Sequence, residues 1–236
     1  MRNVLAVAER ELKAYFASPL AYVVTAFFLF VAGYLFAAIV ASTREATLRY
    51  LLSNLSVIWL FITPALTMRL LAEEARTGTI ELLLTNPIRE VEIVFGKYLA
   101  ALGLLLVMLV FTLYFPLLLF IYGNPDPGPI LTGYLGVVLQ AAAFMGVGLL
   151  ASSLTQNQII AAVITFALLL ALWLADAMAG QASGALAEVI RYLSVTQHFQ
   201  DFPRGIVDTK DLVYFLSVIA VSLFLTTLVL QARRWR

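Results

Sequence analysis

No cysteine occurs in the 236 residues, and there is a single histidine, His198. Disulfides, thiolate nucleophiles and cysteine metal sites are thereby excluded, and a zinc site would lack its usual donors. Charge is scarce as well. Only 12% of residues are Asp, Glu, Lys or Arg, against 62% hydrophobic, about half the charged share of a soluble domain. The net charge of +1 gives no basis for nucleic-acid binding. No Gly-x-x-x-x-Gly-Lys-Ser/Thr phosphate loop is present, so the chain has no nucleotide-hydrolysing motif of its own. No catalytic constellation emerges from the residues.

What is present is long apolar runs. No charged residue lies between Asp126 and Asp176, nor from Leu20 to Thr43. A helix needs roughly 20 apolar residues to cross a bilayer, and both runs meet that length. Six such segments are expected, at about 20–41, 53–71, 94–122, 130–152, 158–178 and 212–231. Pro64 and Pro116 interrupt the second and third, and the polar stretch Ser152 to Gln158 divides the fourth from the fifth. The first run follows about 19 residues of charged segment without a small-residue cleavage site, and is expected to be retained.

Residues 1–18 carry helical periodicity. Leu5, Ala8, Leu12, Tyr15 and Phe16 share a face, Arg10 and Lys13 point away, and Glu9 pairs with Lys13 at i,i+4. The expectation is an amphipathic helix in the interface plane, ended by Ser18-Pro19. The fold class is therefore all-α and membrane-embedded, one transmembrane domain over 1–236, with six spans over 20–231 after the N-terminal helix.

With the N-terminus inside, the inner segments hold ten Lys and Arg residues and the outer ones five. This asymmetry predicts cytoplasmic termini. It also makes 72–93 a cytoplasmic loop and 179–211 an outer loop. The outer loop should contain a short helix with Leu186, Val189, Ile190 and Leu193 on one face. His198 reads as structural, Asp208 and Asp211 as caps of the last helix, and Asp176 as a water-facing residue at a span end. Arg69 and Lys97, near inner span ends, are expected to snorkel to headgroups. Gly133, Gly136, Gly146 and Gly148 suit close helix packing.

The inner loop is the most informative stretch. Gly78 should break the helix that extends from the second span, Thr79 can cap a new one, and Asn86-Pro87 stops it after about two turns. Ile80, Leu83 and Leu84 give that helix an apolar surface, flanked by Glu73, Glu74 and Glu81. The residues alone leave two readings open: a docking helix, or a loop whose leucines fold back on the membrane surface.

The run Glu73-Glu74-x-Arg76-x-Gly78-Thr79-x-Glu81-Leu82-Leu83-Leu84-Thr85-x-Pro87, followed by Gly96-Lys97-Tyr98, resembles the signature loop of ABC-2 type permeases, the membrane subunits of one class of ATP-binding-cassette (ABC) transporters. Gly146-x-Gly148 with Ser152-Ser153-Leu154-Thr155-x-Asn157-Gln158 is similar to the fourth-to-fifth span junction of that family. Phe202, Gly205, Asp208, Asp211 and Tyr214-Phe215, with Arg233-Arg234-Trp235, resemble its gliding-motility permease branch.

The resemblance implies a type V exporter-like permease in the cell (inner) membrane, without enzymatic activity. ATP and Mg would be bound by separate ABC ATPase subunits, and this chain would hold no cofactor. The implied coupling set is Glu73, Glu74, Arg76, Gly78, Thr79, Ile80, Glu81, Leu83, Leu84 and Pro87. A second permease protomer, identical or paralogous, and an auxiliary membrane or periplasmic protein are further implied partners. The family places its path at the protomer interface along spans one, two and five, where Thr25, Thr63, Thr67 and Thr165 are the polar residues. Two rival functions remain at this point. One is a secondary transporter or channel, disfavoured because the central thirds of the spans contain no Asp, Glu, Lys, Arg or His. The other is a membrane scaffold of an ATPase-driven mechanical complex.

Overall fold

The computed structural model describes residues 2–79, 89–181 and 183–234. Among the described residues all regular structure is helical. In chain order the helices are α1 (Arg2–Ala17), α2 (Pro19–Thr43), α3 (Arg49–Thr67), α4 (Ala72–Thr77), α5 (Glu90–Thr112), α6 (Tyr114–Tyr122), α7 (Pro127–Leu154), α8 (Gln158–Ala179), α9 (Ala185–Tyr192), α10 (Val195–Phe199) and α11 (Thr209–Arg234), with a 3-10 turn at Phe202–Arg204. Among the described residues six segments are long and apolar enough to cross a membrane: Pro19–Thr43, Arg49–Thr77, Glu90–Tyr122, Pro127–Leu154, Gln158–Ala179 and Thr209–Arg233. Each contains or closely overlaps one of the six runs read from sequence.

The boundaries follow from local chemistry. Ser18, Asp126 and Asn157 each accept a hydrogen bond from a backbone N–H two residues on, and proline occupies the first turn of α2 and α7. Side-chain oxygens thereby satisfy N–H groups that have no intrahelical partner, and proline loses nothing there. The third span breaks at Leu113, three residues before Pro116, so that Pro116 sits in the first turn of α6. The second span behaves differently from expectation. Its helix runs through Pro64, stops at Thr67, turns over 68–71 and restarts as α4. Gly78, at φ 73°, ends α4 rather than a continuous extension of the span.

α7 is the central column, packed against α3, α8, α11 and the 3-10 turn. Its glycines make that approach possible. A β-carbon at Gly133 would strike Leu52, at Gly136 Phe202, and at Gly148 the Thr67 side chain. Close packing of backbones is how membrane helices associate without a hydrophobic driving force between them. α2, by contrast, leaves Tyr22, Phe27, Phe30 and Tyr34 exposed. A surface of that size and apolarity fits lipid or another apolar helix, not water.

At the end of the bundle away from the termini, α9 forms where the amphipathic pattern placed it. In the single chain Leu186, Val189 and Leu193 stay exposed and Ile190 is half-buried. His198 is buried, with Nδ1 2.7 Å from Asp211 Oδ1 and Nε2 3.0 Å from the Tyr192 carbonyl oxygen, and its ring stacks on Tyr214 at 4.0 Å. It pins α10 and the end of α9 to α11. Asp208 does cap the last helix, accepting from the Lys210 N–H, but Asp211 turns to His198 instead. Asp176 is exposed.

Candidate functional site

Around the termini end, α1, α4 and α5 converge on a buried cluster of charge. α1 runs alongside the first turns of α5 in the same direction. Asn3 donates to Glu92, Val7 lies against Gly96, and Leu12 against Gly103. The two glycines remove the side chains that would hold the helices apart. The face that packs is rotated from the one read in sequence: Val4, Val7, Glu11, Leu12 and Tyr15 turn inward, whereas Leu5 and Phe16 are exposed. Glu9 and Lys13 pair on the outer face at 2.6 Å, as the spacing requires.

Lys97, from the second turn of α5, has a side chain only 1% exposed. Its ammonium lies 2.8 Å from Glu74 Oε1 and 3.1 Å from Glu11 Oε1. Arg10 reaches the same two carboxylate oxygens, at 2.8 Å on Glu11 and 3.4 Å on Glu74. Two acids and two bases therefore alternate in a closed ring. The snorkelling expected of Lys97 does not occur, because two carboxylates inside the protein replace the headgroup water it would otherwise seek. Removing either partner of such a buried pair costs ~3–5 kcal/mol, since an uncompensated charge is left behind. Burial pushes both carboxyls up; at Glu11, Lys97 and Arg10 outweigh it and hold the group below its usual range, whereas at Glu74 burial prevails and holds the group above it.

Arg69 is likewise fastened inside the protein. It donates to Ser18 Oγ at 2.9 Å and stands 3.4 Å from Glu73. Tyr15 donates to the Leu66 carbonyl at 2.8 Å, and burial raises its hydroxyl pKa. A cavity of about 240 Å³ opens beside the ring, bordered by Tyr15, Arg69 and Glu73 as well as the ring residues Glu11, Glu74 and Lys97.

Ser152 completes the arrangement. Its Oγ accepts from the N–H groups of Leu71 and Ala72, both at 3.0 Å, and donates to the Met68 carbonyl at 3.1 Å. It thus satisfies the backbone groups freed where the second span breaks. Ser152 and Ser153 belong to the last turn of α7, and the turn to α8 is confined to Thr155–Asn157, a correction to the longer polar turn expected from Ser152 onward.

Of the coupling set, Glu73, Glu74 and Arg76 lie on α4, Gly78 closes it, and the Thr79 hydroxyl is 2.9 Å from that of Thr77. Glu73 and Glu74 are engaged within the chain, and Arg76 is exposed. Ile80, Glu81, Leu83, Leu84 and Pro87 lie outside the described residues. Thr63, Thr67 and Thr165 are buried in the packing of one chain; Thr67 donates to the Thr63 carbonyl and Thr165 to that of Ala161. Thr25 is half-buried on α2. The four threonines thus sit on α2, α3 and α8. Sequence reasoning passed over Glu11. Its signal was available: Val7, Glu11 and Tyr15 recur every fourth residue, so an acid interrupts an otherwise apolar stripe.

A family model described as ABC-2 family transporter protein matches residues 41–232, which include α4, Lys97, Ser152 and five of the six spans. The chain belongs to the ABC-2 family of transporter proteins. The match begins beyond α1, so the Lys97 and Glu74 half of the ring lies inside it and the Arg10 and Glu11 half outside. A comparison with curated proteins gives no match. As an ABC-2 family chain with six membrane-spanning helices, the protein is a multi-pass membrane protein and a permease-type subunit.

Proposed function

We propose that this ABC-2 chain is the permease subunit of an ATP-driven exporter, in which a separate ABC ATPase docks on residues 78–87. What carries the reading is the ring at Lys97. α4 leads directly into that loop, is separated from α3 by the break at 68–71, and is bonded to α1 and α5 through buried charge. A short rigid element joined to its own span by a turn, and to two other helices by ion pairs, is suited to passing on a displacement. Force applied at the loop would reach α5 and the N-terminal helix together.

In this reading the termini end faces the cytoplasm of the cell (inner) membrane, an orientation that the excess of Lys and Arg there supports. ATP and Mg belong to the partner. A second protomer, identical or paralogous, would cover exposed apolar surface such as that of α2. The gliding-motility-like branch is the finer family placement that the C-terminal residues support. The path through Thr25, Thr63, Thr67 and Thr165 belongs to the assembled pair.

The test is ATP hydrolysis by the reconstituted complex. The chain alone should hydrolyse none. Lys97→Met should keep the ATPase bound but lower the hydrolysis that the membrane subunit stimulates. Vanadate-sensitive hydrolysis by the pure chain, or unchanged stimulation with Lys97→Met, would remove the reading.

A further inference from the structure

A second cavity, of about 830 Å³, lies at the termini end and shares no lining residue with the cavity beside the ring. It is walled by Arg76 of α4, the Thr155–Asn157 turn with Gln158 and Ile159 of α8, and Arg233 of α11. Among the described residues no Asp or Glu lines it. Among the described residues Arg76 makes no hydrogen bond or ion pair, although the rest of α4 is densely paired. Arg233 spends one nitrogen on the Ser153 carbonyl, at 2.7 Å, which fixes its guanidinium and leaves its other donors available. Gln156 and Gln158 add amide groups to the wall.

Two guanidiniums with no acid among the described lining residues make an anion site, and guanidinium forks match phosphate oxygens. The level of the site decides the source. Three candidate spans end around it: α7 at Leu154, α8 starting at Gln158, and α11 at its C-terminal end. Leu154 and Ile159, both in its wall, are 54% and 72% exposed. Cationic donors therefore sit directly beside apolar surface, as at the boundary between headgroups and acyl chains. We infer that this cavity binds the phosphate headgroup of an anionic bilayer lipid, held between Arg76 and Arg233 with its chains against Leu154 and Ile159.

The experiment uses the full chain in nanodiscs of phosphatidylcholine mixed with phosphatidylglycerol, and counts retained phosphatidylglycerol by native mass spectrometry after release into detergent. Arg76→Gln with Arg233→Gln should lower retention about ten-fold or more, because charge-assisted hydrogen bonds from two cations are lost. Arg233→Lys, which preserves a cation and a donor for the Ser153 carbonyl, should keep most of it, and so should Lys13→Gln. Unchanged retention in the double variant would overturn the inference. So would displacement of the lipid by millimolar inorganic phosphate, which would make the ligand a soluble anion. Loss of the ATPase with lipid retention intact would assign the cavity to a protein partner and overturn it as well.

Discussion

The Lys97 ammonium lies 2.8 Å from a Glu74 carboxylate oxygen, with 1% of the lysine side chain exposed. This one contact joins the beginning of the third span to the helix that precedes the 78–87 loop. With Glu11 on the same ammonium, the N-terminal helix enters the same joint.

Replacing Lys97 by Met removes the cation while keeping most of the volume. Glu11 and Glu74 then face each other with only Arg10 between them, at a cost of ~3–5 kcal/mol. The expected outcome is a melting temperature several degrees lower in detergent and faster proteolysis of the first 17 residues. Unchanged values for both would mean that the ring contributes no stability.

Acid should act on the same joint. The Glu11 carboxyl is held below its usual range in the folded chain, so its stabilisation is fully present above its ordinary pKa and is lost as pH falls through the depressed one. Trypsin cleavage at Lys13 in nanodiscs, sampled by brief exposure to each pH and assay at neutral pH under quench, should stay slow down to the ordinary carboxylate range. It should rise below it. Glu11→Gln should be fast already at pH 7.

Ser152→Ala would leave the buried N–H groups of Leu71 and Ala72 without an acceptor. Each such loss costs about 1–3 kcal/mol. Hydrogen exchange at Leu71 and Ala72 should accelerate, with exchange in α11 little changed. Equal acceleration throughout would point to global unfolding instead of a local joint.

Much of this architecture was legible in the sequence, for a simple physical reason. A span must be long and predominantly apolar, so apolar runs located all six segments, and prolines and polar turns marked their ends. The glycines of α7 were legible too, because only close packing explains so many small residues in one span. Glu11 and Lys97 were not. Isolated charges near a span end read as interfacial until the partner appears, and the partners of Lys97, Glu74 and Glu11, lie 23 and 86 residues away along the chain. The inward face of α1 was misread for the same cause. Leu5 and Phe16 are apolar, but the surface that claims α1 is α5 with its glycine gaps, and it selects Val7 and Leu12.

Gly148→Leu tests the central column. The added side chain would drive into Thr67, which is itself bonded to the Thr63 carbonyl. Overpacking of this kind costs about 1–3 kcal/mol. A lowered melting temperature with the six spans still inserted is expected, and no change would mean that α3 and α7 can separate at that level without penalty.

The central claim is that residues 78–87 receive an ATPase, and co-purification of that ATPase tests it most directly. Leu83→Asp places a charge in the middle of the proposed apolar contact, where it would be desolvated without a partner at a cost of several kcal/mol. The account predicts that this variant inserts normally and loses the ATPase, that Glu81→Ala loses little because rim charges contribute modestly, and that Val189→Asp at the opposite end loses none. Full ATPase binding by Leu83→Asp would contradict the account and return the loop to the membrane surface.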